Sequence, residues 1–365
     1  MMNCVLSKYS ILFKNRKIEL SRFIIILSRI KMKKGFLILS ALGLWASSAH
    51  AAPVNVCVFD LLGKSGESFK LLEEWALASK QWGATVQLIA YQDEAKVDQD
   101  AKAGKCDGFY MTSMRARAYN KFAGSIDAIG GVPNNDIAMK AVSYVLDKRN
   151  TKRMTTQIGK EKFEVAGIGQ IGPAYIFVRD RNMDKLEHIK GKKFAVLHYD
   201  YAQTIMVNRV EAVPVNSEIS NFIRKFNQGE VDIVAAPAYA FKPLEVTKGL
   251  GQKGAMINFP VVNVTADLII RPDKFPEQFA ANSRQWFVKQ LPRSFSMVKR
   301  MEAEIPRKYI LNLSREEQVS YQKILREGRM DLTKQGIYDA GMMTVLKRAR
   351  CTVERTNFAC SISGE

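Results

Sequence analysis

The chain has 365 residues, 47% of them hydrophobic and 25% charged, and its 55 Lys and Arg residues against 36 Asp and Glu residues give a formal net charge of +19. Such a basic balance is typical of proteins that bind nucleic acids or membrane surfaces. However, the Lys and Arg residues are scattered, and no nucleic-acid motif, low-complexity linker or solenoid repeat accompanies them. We therefore expect a generally basic surface and no nucleic-acid partner.

Residues 32–51 have the three parts of a secretory signal peptide. A basic start, Met-Lys-Lys-Gly, precedes the apolar run 36–45 and a small-residue stretch that contains Ala-His-Ala. The apolar run is shorter than the about 20 residues that a membrane-spanning helix needs. We place cleavage after Ala51, with Ala52 as the near alternative, and expect Sec-dependent export into the periplasm of a Gram-negative bacterium.

Residues 1–31 precede this signal and are basic, with a second apolar patch at 23–27. They are either a membrane-anchoring leader or an upstream extension included in error. We favour the second interpretation, because a complete signal begins at Met32. Residues 1–51 hold nine Lys and Arg residues and one Glu, so their removal lowers the net charge to +11 and leaves about 314 residues, enough for two lobes.

The first part of the remaining chain alternates strands with helices. The predicted strands are 54–61, 85–91 and 106–112, and the predicted helices are 68–81 and 95–103. This β-α-β-α-β order predicts a parallel, doubly wound sheet.

The second part repeats the pattern. The predicted strands are 174–178, 193–198, 211–215 and 231–235, with a helix at 217–227. Each part contains a junction in which a glycine, Gly104 or Gly229, lies three residues before Asp107 or Asp232, and an apolar strand follows. Two such junctions in corresponding places indicate two similar α/β lobes.

The last part is a long crossing strand followed by helices. We predict a strand at 256–270 and helices at 275–290, 294–304 and 314–350, the last opened by a capping box at Ser314. The predicted organisation is lobe 1 at 53–175, lobe 2 at 176–260, and a crossover strand with bracing helices at 261–365, packed back on lobe 1.

Four cysteines remain after signal cleavage, an even number in an oxidising compartment, and they allow three connectivities. We prefer Cys57–Cys106, which joins two neighbouring strands, and Cys351–Cys360, which closes a short loop.

Motifs of enzymes and metal sites are not evident in the sequence. Gly63-Lys64-Ser65 lacks the glycine that a phosphate-binding loop needs five residues earlier, where Val58 stands. The two histidines after residue 51, His188 and His198, form no metal-ligand pattern, and no serine has a nucleophile setting. We predict no catalytic residue, no metal and no cofactor.

Polar and aromatic residues gather instead at the carboxyl ends of the predicted strands, where open α/β sheets bind ligands. Such a set suits a cleft that holds a small organic ligand by stacking and hydrogen bonds. The candidate ligand-binding residues are Asp60, Tyr91, Tyr110, Thr112, Tyr175, Arg179, Tyr199, Asp200, Tyr201 and Pro237.

Two segments of the second part carry a resemblance to known proteins: LEHIKGKKFAV at 186–196, and the helix, turn and strand at 222–237. They resemble the "DLKGKKIRV" segment and the helix, "QxGxVDG" turn and strand of solute-binding proteins of tripartite ATP-independent periplasmic (TRAP) transporters. The whole mature chain is similar to the AdeT solute-binding family, whose members are also labelled RND-type efflux components. The resemblance implies a two-lobed, type II periplasmic-binding-protein fold that closes on its ligand by a hinge motion.

The TRAP family implies a carboxylate ligand clamped by an arginine, but that position here is Ala195. The candidate replacements are the arginines at positions 115, 117, 179 and 181. We expect a monomeric solute-binding protein that delivers a small molecule to an inner-membrane permease. The alternatives are a non-transport accessory factor of envelope or efflux machinery, as in drug resistance, and a degenerate α/β enzyme.

Overall fold

The structure is a computed structural model that describes residues 52–362. The predicted extension, 1–31, and the predicted signal peptide, 32–51, lie outside the described residues. The described strands are β1 (Val54–Phe59), β2 (Val86–Tyr91), β3 (Gly108–Thr112), β4 (Thr155–Ile158), β5 (Glu161–Val178), β6 (Lys193–Leu197), β7 (Val213–Ser217), β8 (Ile233–Pro237), β9 (Ala255–Ile270) and β10 (Ile310–Leu311). The described α-helices are α1 (Glu67–Ser79), α2 (Glu94–Lys102), α3 (Ser113–Ala116), α4 (Lys121–Gly124), α5 (Asn135–Val145), α6 (Tyr201–Arg209), α7 (Phe222–Gln228), α8 (Thr247–Leu250), α9 (Phe279–Ala303), α10 (Arg315–Lys334) and α11 (Ala340–Val353).

The ten described strands belong to one sheet, in the order β2-β1-β3-β9-β5-β8-β6-β7, with β4 beside β5 and β10 beside β9. β1 is parallel to β2 and β3, and β6 is parallel to β7 and β8. Between these groups, β5 and β9 pair antiparallel along most of their length and run through both halves of the sheet. We call the half around β1 the first lobe and the half around β6 the second lobe.

The two predicted junctions have the same local structure. Gly104 and Gly229 follow α2 and α7 with φ of 71° and 77°, in the left-handed region where helices commonly end on glycine. In the first lobe, the Asp107 carboxylate accepts a hydrogen bond from a β1 amide at 2.8 Å. In the second, the Asp232 carboxylate accepts one from the first amide of β6 at 2.9 Å. The two junctions therefore have the same local geometry in the two halves of the sheet.

Strand β5 is longer than predicted. Only its end, 174–178, was expected, whereas the strand begins at Glu161. The missed part contains Gly167, Gly169, Gly172 and Pro173, residues that weaken the strand signal. Its pairing with β9 still holds, although the register shifts at several points.

Other short elements also differ from the prediction. Strands β4 and β10 and helices α3, α4, α5, α6 and α8 were not predicted, and β7 begins two residues later than expected. Helix α6 has buried residues only at Ala202, Met206 and Val207, which is too sparse a pattern to indicate a helix in sequence.

The C-terminal helices are divided differently from the prediction. Two helices were expected around Pro292, but α9 continues through it as one helix. One long helix was expected from residue 314, but α10 and α11 are separate, because the chain turns at Gly336 with φ of 73°. That conformation suits glycine and interrupts a helix.

The C-terminal helices pack on both lobes. In the first lobe, the Trp75 indole donates a hydrogen bond to Ser283 of α9 at 2.8 Å, and its ring lies edge-on to Phe279. In the second lobe, Arg209 of α6 pairs with Asp331 of α10. The sequence predicted that these helices pack on lobe 1, and the structure shows that they contact the second lobe as well. The exact lobe boundaries stay a prediction.

Both preferred disulfides are present. Cys57 of β1 is bonded to Cys106, which precedes β3, and Cys351 of α11 is bonded to Cys360. Cys57 and Cys106 are fully buried in the first lobe.

Candidate ligand-binding site

A cavity of about 180 Å³ lies between the lobes, at the carboxyl ends of their parallel strands. Open α/β sheets place ligands at this edge. Both lobes and both crossing strands contribute to its lining, which is mostly apolar. Among its lining residues are Ile171, Phe194, Leu197, Met206 and Val264.

Arg117, which follows α3 in the first lobe, links the lobes beside this cavity. Its guanidinium bonds Asp127 at 2.6 Å and Asp200 of the second lobe at 3.0 Å. It also donates to the carbonyl of Gly124 and lies over the ring of Tyr338. Arg117 is thus held by two buried carboxylates, one from each lobe.

Arg115 forms a second link between the lobes. Its side chain is 8% exposed and bonds Glu94 of the first lobe and Glu218 of the second, each at 3.0 Å. The guanidinium also stacks on the ring of Tyr199, 3.6 Å from its centroid, and the Tyr199 hydroxyl donates to Glu94 at 2.8 Å. The positive charge of Arg115 is therefore compensated within the protein.

Asp60, at the end of β1, forms a third link. Its carboxylate accepts hydrogen bonds from the amides of Ser68 and Phe69 at the start of α1, and one from the Tyr239 hydroxyl of the second lobe. Helix N-termini stabilise a negative charge in this way. A Cβ at Gly66 would lie 1.8 Å from this carboxylate, so only glycine leaves space for it.

Two carboxyl groups near the cavity have strongly perturbed acidity. Burial raises the pKa of Asp127 to about 7, although Arg117 lowers it in part. Burial likewise raises the pKa of Asp267 to about 7, although the hydroxyl of Ser113, which donates to it at 2.6 Å, lowers it in part. One oxygen of each carboxyl, Oδ2, is buried without a hydrogen-bond partner.

We expect the free energy of unfolding to fall as the pH rises from about 5 to 7.5. In that range the folded protein keeps protons on Asp127 and Asp267 that the unfolded chain has released, since the ordinary pKa of an aspartate is 3.8. We expect a loss of roughly 2 kcal/mol per carboxyl, measured by urea denaturation at a series of pH values.

The control for this pH prediction is a pair of variants. Asp267→Asn should roughly halve the dependence of the free energy of unfolding on pH, because an amide does not titrate. Asp273→Asn, at an exposed position, should leave that dependence unchanged. An Asp267→Asn profile as steep as the original would contradict the assignment.

The structure places four of the ten candidate ligand-binding residues in the cavity lining. These four are Asp60, Thr112, Asp200 and Pro237. The six that do not line the cavity are Tyr91, Tyr110, Tyr175, Arg179, Tyr199 and Tyr201. A role of any of the ten in ligand binding stays a prediction.

Three of these tyrosines have structural partners elsewhere. Tyr91 donates to Asp100 at 3.0 Å, and Tyr175 donates to Glu302 at 2.8 Å. Tyr110 is fully buried under β5, where a Cβ at position 169 would lie 2.0 Å from its hydroxyl. Tyr201 differs from them, because it is 72% exposed at the start of α6.

The arginines considered as replacements for the family's clamp do not line the cavity either. Arg179 donates to the carbonyl of Phe226 at 2.7 Å, and Arg181 donates to the carbonyl of Lys308 at 2.9 Å. Arg115 and Arg117 are bound by carboxylates, as described above. The clamp position itself, Ala195, does line the cavity, so a methyl group stands there.

Sequence reasoning missed Asp127 and Tyr338, which line the cavity beside Arg117. Asp127 stands inside the apolar stretch 126–129, and a lone carboxylate in such a stretch is a usable signal for a buried functional group. Tyr338 comes from the segment between α10 and α11, and nothing in the local sequence relates it to the strand ends.

The described residues were also compared with the patterns of metal sites and of membrane-spanning helices. Between residues 52 and 362, no group of three or more His, Cys, Asp or Glu side chains is arranged to hold a metal ion. In the same range, none of the helices has both the length and the apolarity to cross a membrane.

Comparison with known proteins gives concordant results. Residues 73–365 match the family model "Solute-binding protein AdeT 1/2". Over 308 residues the chain is 44% identical to "Probable solute-binding protein AdeT1" of Acinetobacter baumannii. This alignment covers 84% of this chain and 100% of that relative. It is 30% identical over 240 residues to "Probable solute-binding protein AdeT2" of the same organism, covering 66% of this chain and 99% of that relative.

Solved TRAP periplasmic solute-binding proteins have a similar fold. One from Desulfovibrio salexigens, with bound orotic acid, aligns with a TM-score of 0.65 at 10% identity and covers 83% of this chain and 99% of its own. At that identity the similarity shows the fold alone. It confirms the two-lobed α/β architecture expected from the sequence.

Proposed function

We propose that this chain, which belongs to the solute-binding protein AdeT 1/2 family, captures a small organic ligand in the cavity between its lobes and presents it to a membrane transporter. The family match spans most of the chain, and the 44% identical relative is covered over its full length. The chain is therefore a solute-binding protein built on the fold of TRAP receptors.

The observation that carries the proposal is the position of the cavity. It lies at the carboxyl edge of both parallel groups of strands and is lined from both lobes. Ion pairs of Arg115 with Glu218 and of Arg117 with Asp200 connect the two lobes. A ligand held there would contact both lobes and favour the arrangement in which they are joined.

The periplasm is the compartment that fits this role. The Cys57–Cys106 and Cys351–Cys360 disulfides are of a kind that forms and persists in oxidising compartments. The predicted signal peptide agrees with export, and an inner-membrane permease would be the acceptor of the ligand. Family membership favours this function over an accessory factor of efflux machinery, and it points to binding rather than catalysis.

A thermal-shift screen of residues 52–365 tests the proposal. The probes are organic acids, amino acids, sugars, organic amines and aminoglycosides. A ligand present at about 100 times its Kd stabilises a protein by roughly 2.7 kcal/mol, which raises the Tm by several degrees.

The matched control is a variant that fills the cavity. Ala235 lines it, and Ala235→Phe should abolish the shift, whereas Ala303→Phe at an exposed position of α9 should not. A shift that survives Ala235→Phe would place the ligand elsewhere. No shift with any probe, from a folded sample freed of carried-over ligand, would contradict the proposal.

A further inference from the structure

We infer that the ligand of the interlobe cavity is an apolar organic cation, an amine or quaternary ammonium compound, whose charge is held by the Asp127 carboxylate. The inference rests on the proposed function, because it takes the cavity as the ligand site. It departs from the carboxylate ligand that the TRAP resemblance implies.

The lining has the composition of a site for an apolar cation. Apart from a few polar groups, its side chains are aliphatic and aromatic. An aromatic ring attracts a cation held over its face, and this attraction grows when water is excluded. The aromatic residues of the lining are Phe59, Phe194, Phe222, Tyr239, Tyr321 and Tyr338.

The formal charges that border the cavity are negative. Asp60, Asp127 and Asp200 line it, and no lysine, arginine or histidine is among the described residues that do. A small organic anion would meet these carboxylates without a cation to offset them. An organic cation would instead gain a charge partner away from water.

Asp127 is the carboxylate best placed to hold that charge. Asp60 is already bonded by two helix amides and the Tyr239 hydroxyl. Asp127 is 2% exposed, and although Arg117 bonds its Oδ1, its Oδ2 is buried without a hydrogen-bond partner. An unsatisfied buried oxygen of this kind costs free energy, which a donor group on the ligand would recover.

The arginines beside the cavity do not offset this charge. Arg117 is shared between Asp127 and Asp200, so above the pKa of Asp127 these three groups together keep one negative charge. Arg115 is bonded to Glu94 and Glu218, which likewise keep one. The clamp position, Ala195, adds only a methyl group to the lining.

Three probes with one apolar body and different head groups test the inference: 3-phenylpropylamine, 3-phenylpropanol and 3-phenylpropanoate. Isothermal titration calorimetry at pH 8.5, where Asp127 is ionised and the amine is still protonated, measures each Kd with residues 52–365. We expect the amine to bind at least about tenfold more tightly than the alcohol, because a charge-assisted hydrogen bond is the stronger one, and the carboxylate to bind most weakly.

Two variants relate this order to Asp127. Asp127→Asn should remove the preference for the amine over the alcohol, whereas Asp136→Asn, at an exposed ion pair with Lys299, should leave that preference unchanged. Ala195→Arg provides a second readout, which does not depend on the folding of Asp127→Asn. A cation introduced at that position should reverse the order, so that the carboxylate binds more tightly than the amine.

Each other result overturns the inference in a recognisable way. If the carboxylate binds most tightly to the unchanged protein, the ligand class is wrong and the solute-binding function stands. The same holds if the three probes bind equally, or if only a sugar or an amino acid shifts the Tm in the screen. If nothing binds, the cavity is not a ligand site, and the proposed function fails together with the inference.

Discussion

Replacing Arg117 with alanine is expected to lower the free energy of unfolding by about 3–5 kcal/mol. Removing one partner of a buried ion pair has an effect of this size, because it leaves a charge that is neither hydrated nor paired. Here two carboxylates, Asp127 and Asp200, would lose their common partner. For a chain of this length each kcal/mol lowers the Tm by about 1.5 °C, so we expect a fall of roughly 5–8 °C in a calorimetric scan.

The matched control is Arg293→Ala. Arg293 also makes two hydrogen bonds to a carboxylate, at 2.8 and 2.6 Å from Glu74, but both side chains are largely exposed. An exposed pair contributes at most about 1 kcal/mol. Equal losses in the two variants would show that burial does not set the contribution of Arg117.

A compensating variant separates charge from packing. In Arg117→Met combined with Asp127→Asn and Asp200→Asn, the buried carboxylates are removed with the cation, and asparagine still caps α6 at position 200. We expect most of the stability lost in Arg117→Ala to return. A triple variant as unstable as the single one would mean that the arginine acts mainly through its packing.

Removing the Cys57–Cys106 disulfide by a double change to alanine is expected to cost about 4 kcal/mol. In the chain-entropy account, a disulfide restricts the unfolded chain more when it closes a longer loop. The two cysteines are 49 residues apart, whereas Cys351 and Cys360 are 9 apart, for which the same account gives about 2.6 kcal/mol. Guanidinium denaturation of both double variants measures the difference.

The position of the two disulfides strengthens this expectation. Cys57 and Cys106 are fully buried, so their replacement also leaves unfilled space in the first lobe. Cys351 and Cys360 lie near the end of the described chain and are less buried. A larger loss from the Cys351/Cys360 variant than from the Cys57/Cys106 variant would contradict this ranking.

Much of the sheet was predictable from the sequence, because its parallel strands are short apolar runs bounded by turn residues. The repeated junction around Gly104 and Gly229 predicted two similar lobes. At both junctions an aspartate carboxylate accepts a hydrogen bond from a backbone amide of the neighbouring strand. Strand β5 was predicted only in part. Its glycines and Pro173 have low strand propensity, and pairing with β9 over a long distance in sequence overrides that preference.

The sequence predicted which edge of the sheet carries the candidate site, but only some of the residues that line it. Asp60, Thr112, Asp200 and Pro237 follow or end strands and do line the cavity. Most of the tyrosines at the same edge make hydrogen bonds or packing contacts outside the cavity. A strand end alone does not determine which side of the sheet a side chain faces. The positions of Asp127 and Tyr338 depend on how α4, α10 and α11 pack, which no local pattern reveals.

The shared crossing strands have a mechanical consequence. Because β5 and β9 belong to both lobes, the lobes cannot slide past one another without breaking the backbone hydrogen bonds that pair these two strands. The register of that ladder is interrupted around Gly172 and again between Ala174 and Ile176, and a strand bends most readily at such irregularities. The distance between the lobes would then change by bending of β5 and β9 near Gly172 to Ile176. Admitting a ligand would cost the protein little in main-chain pairing on either side of it.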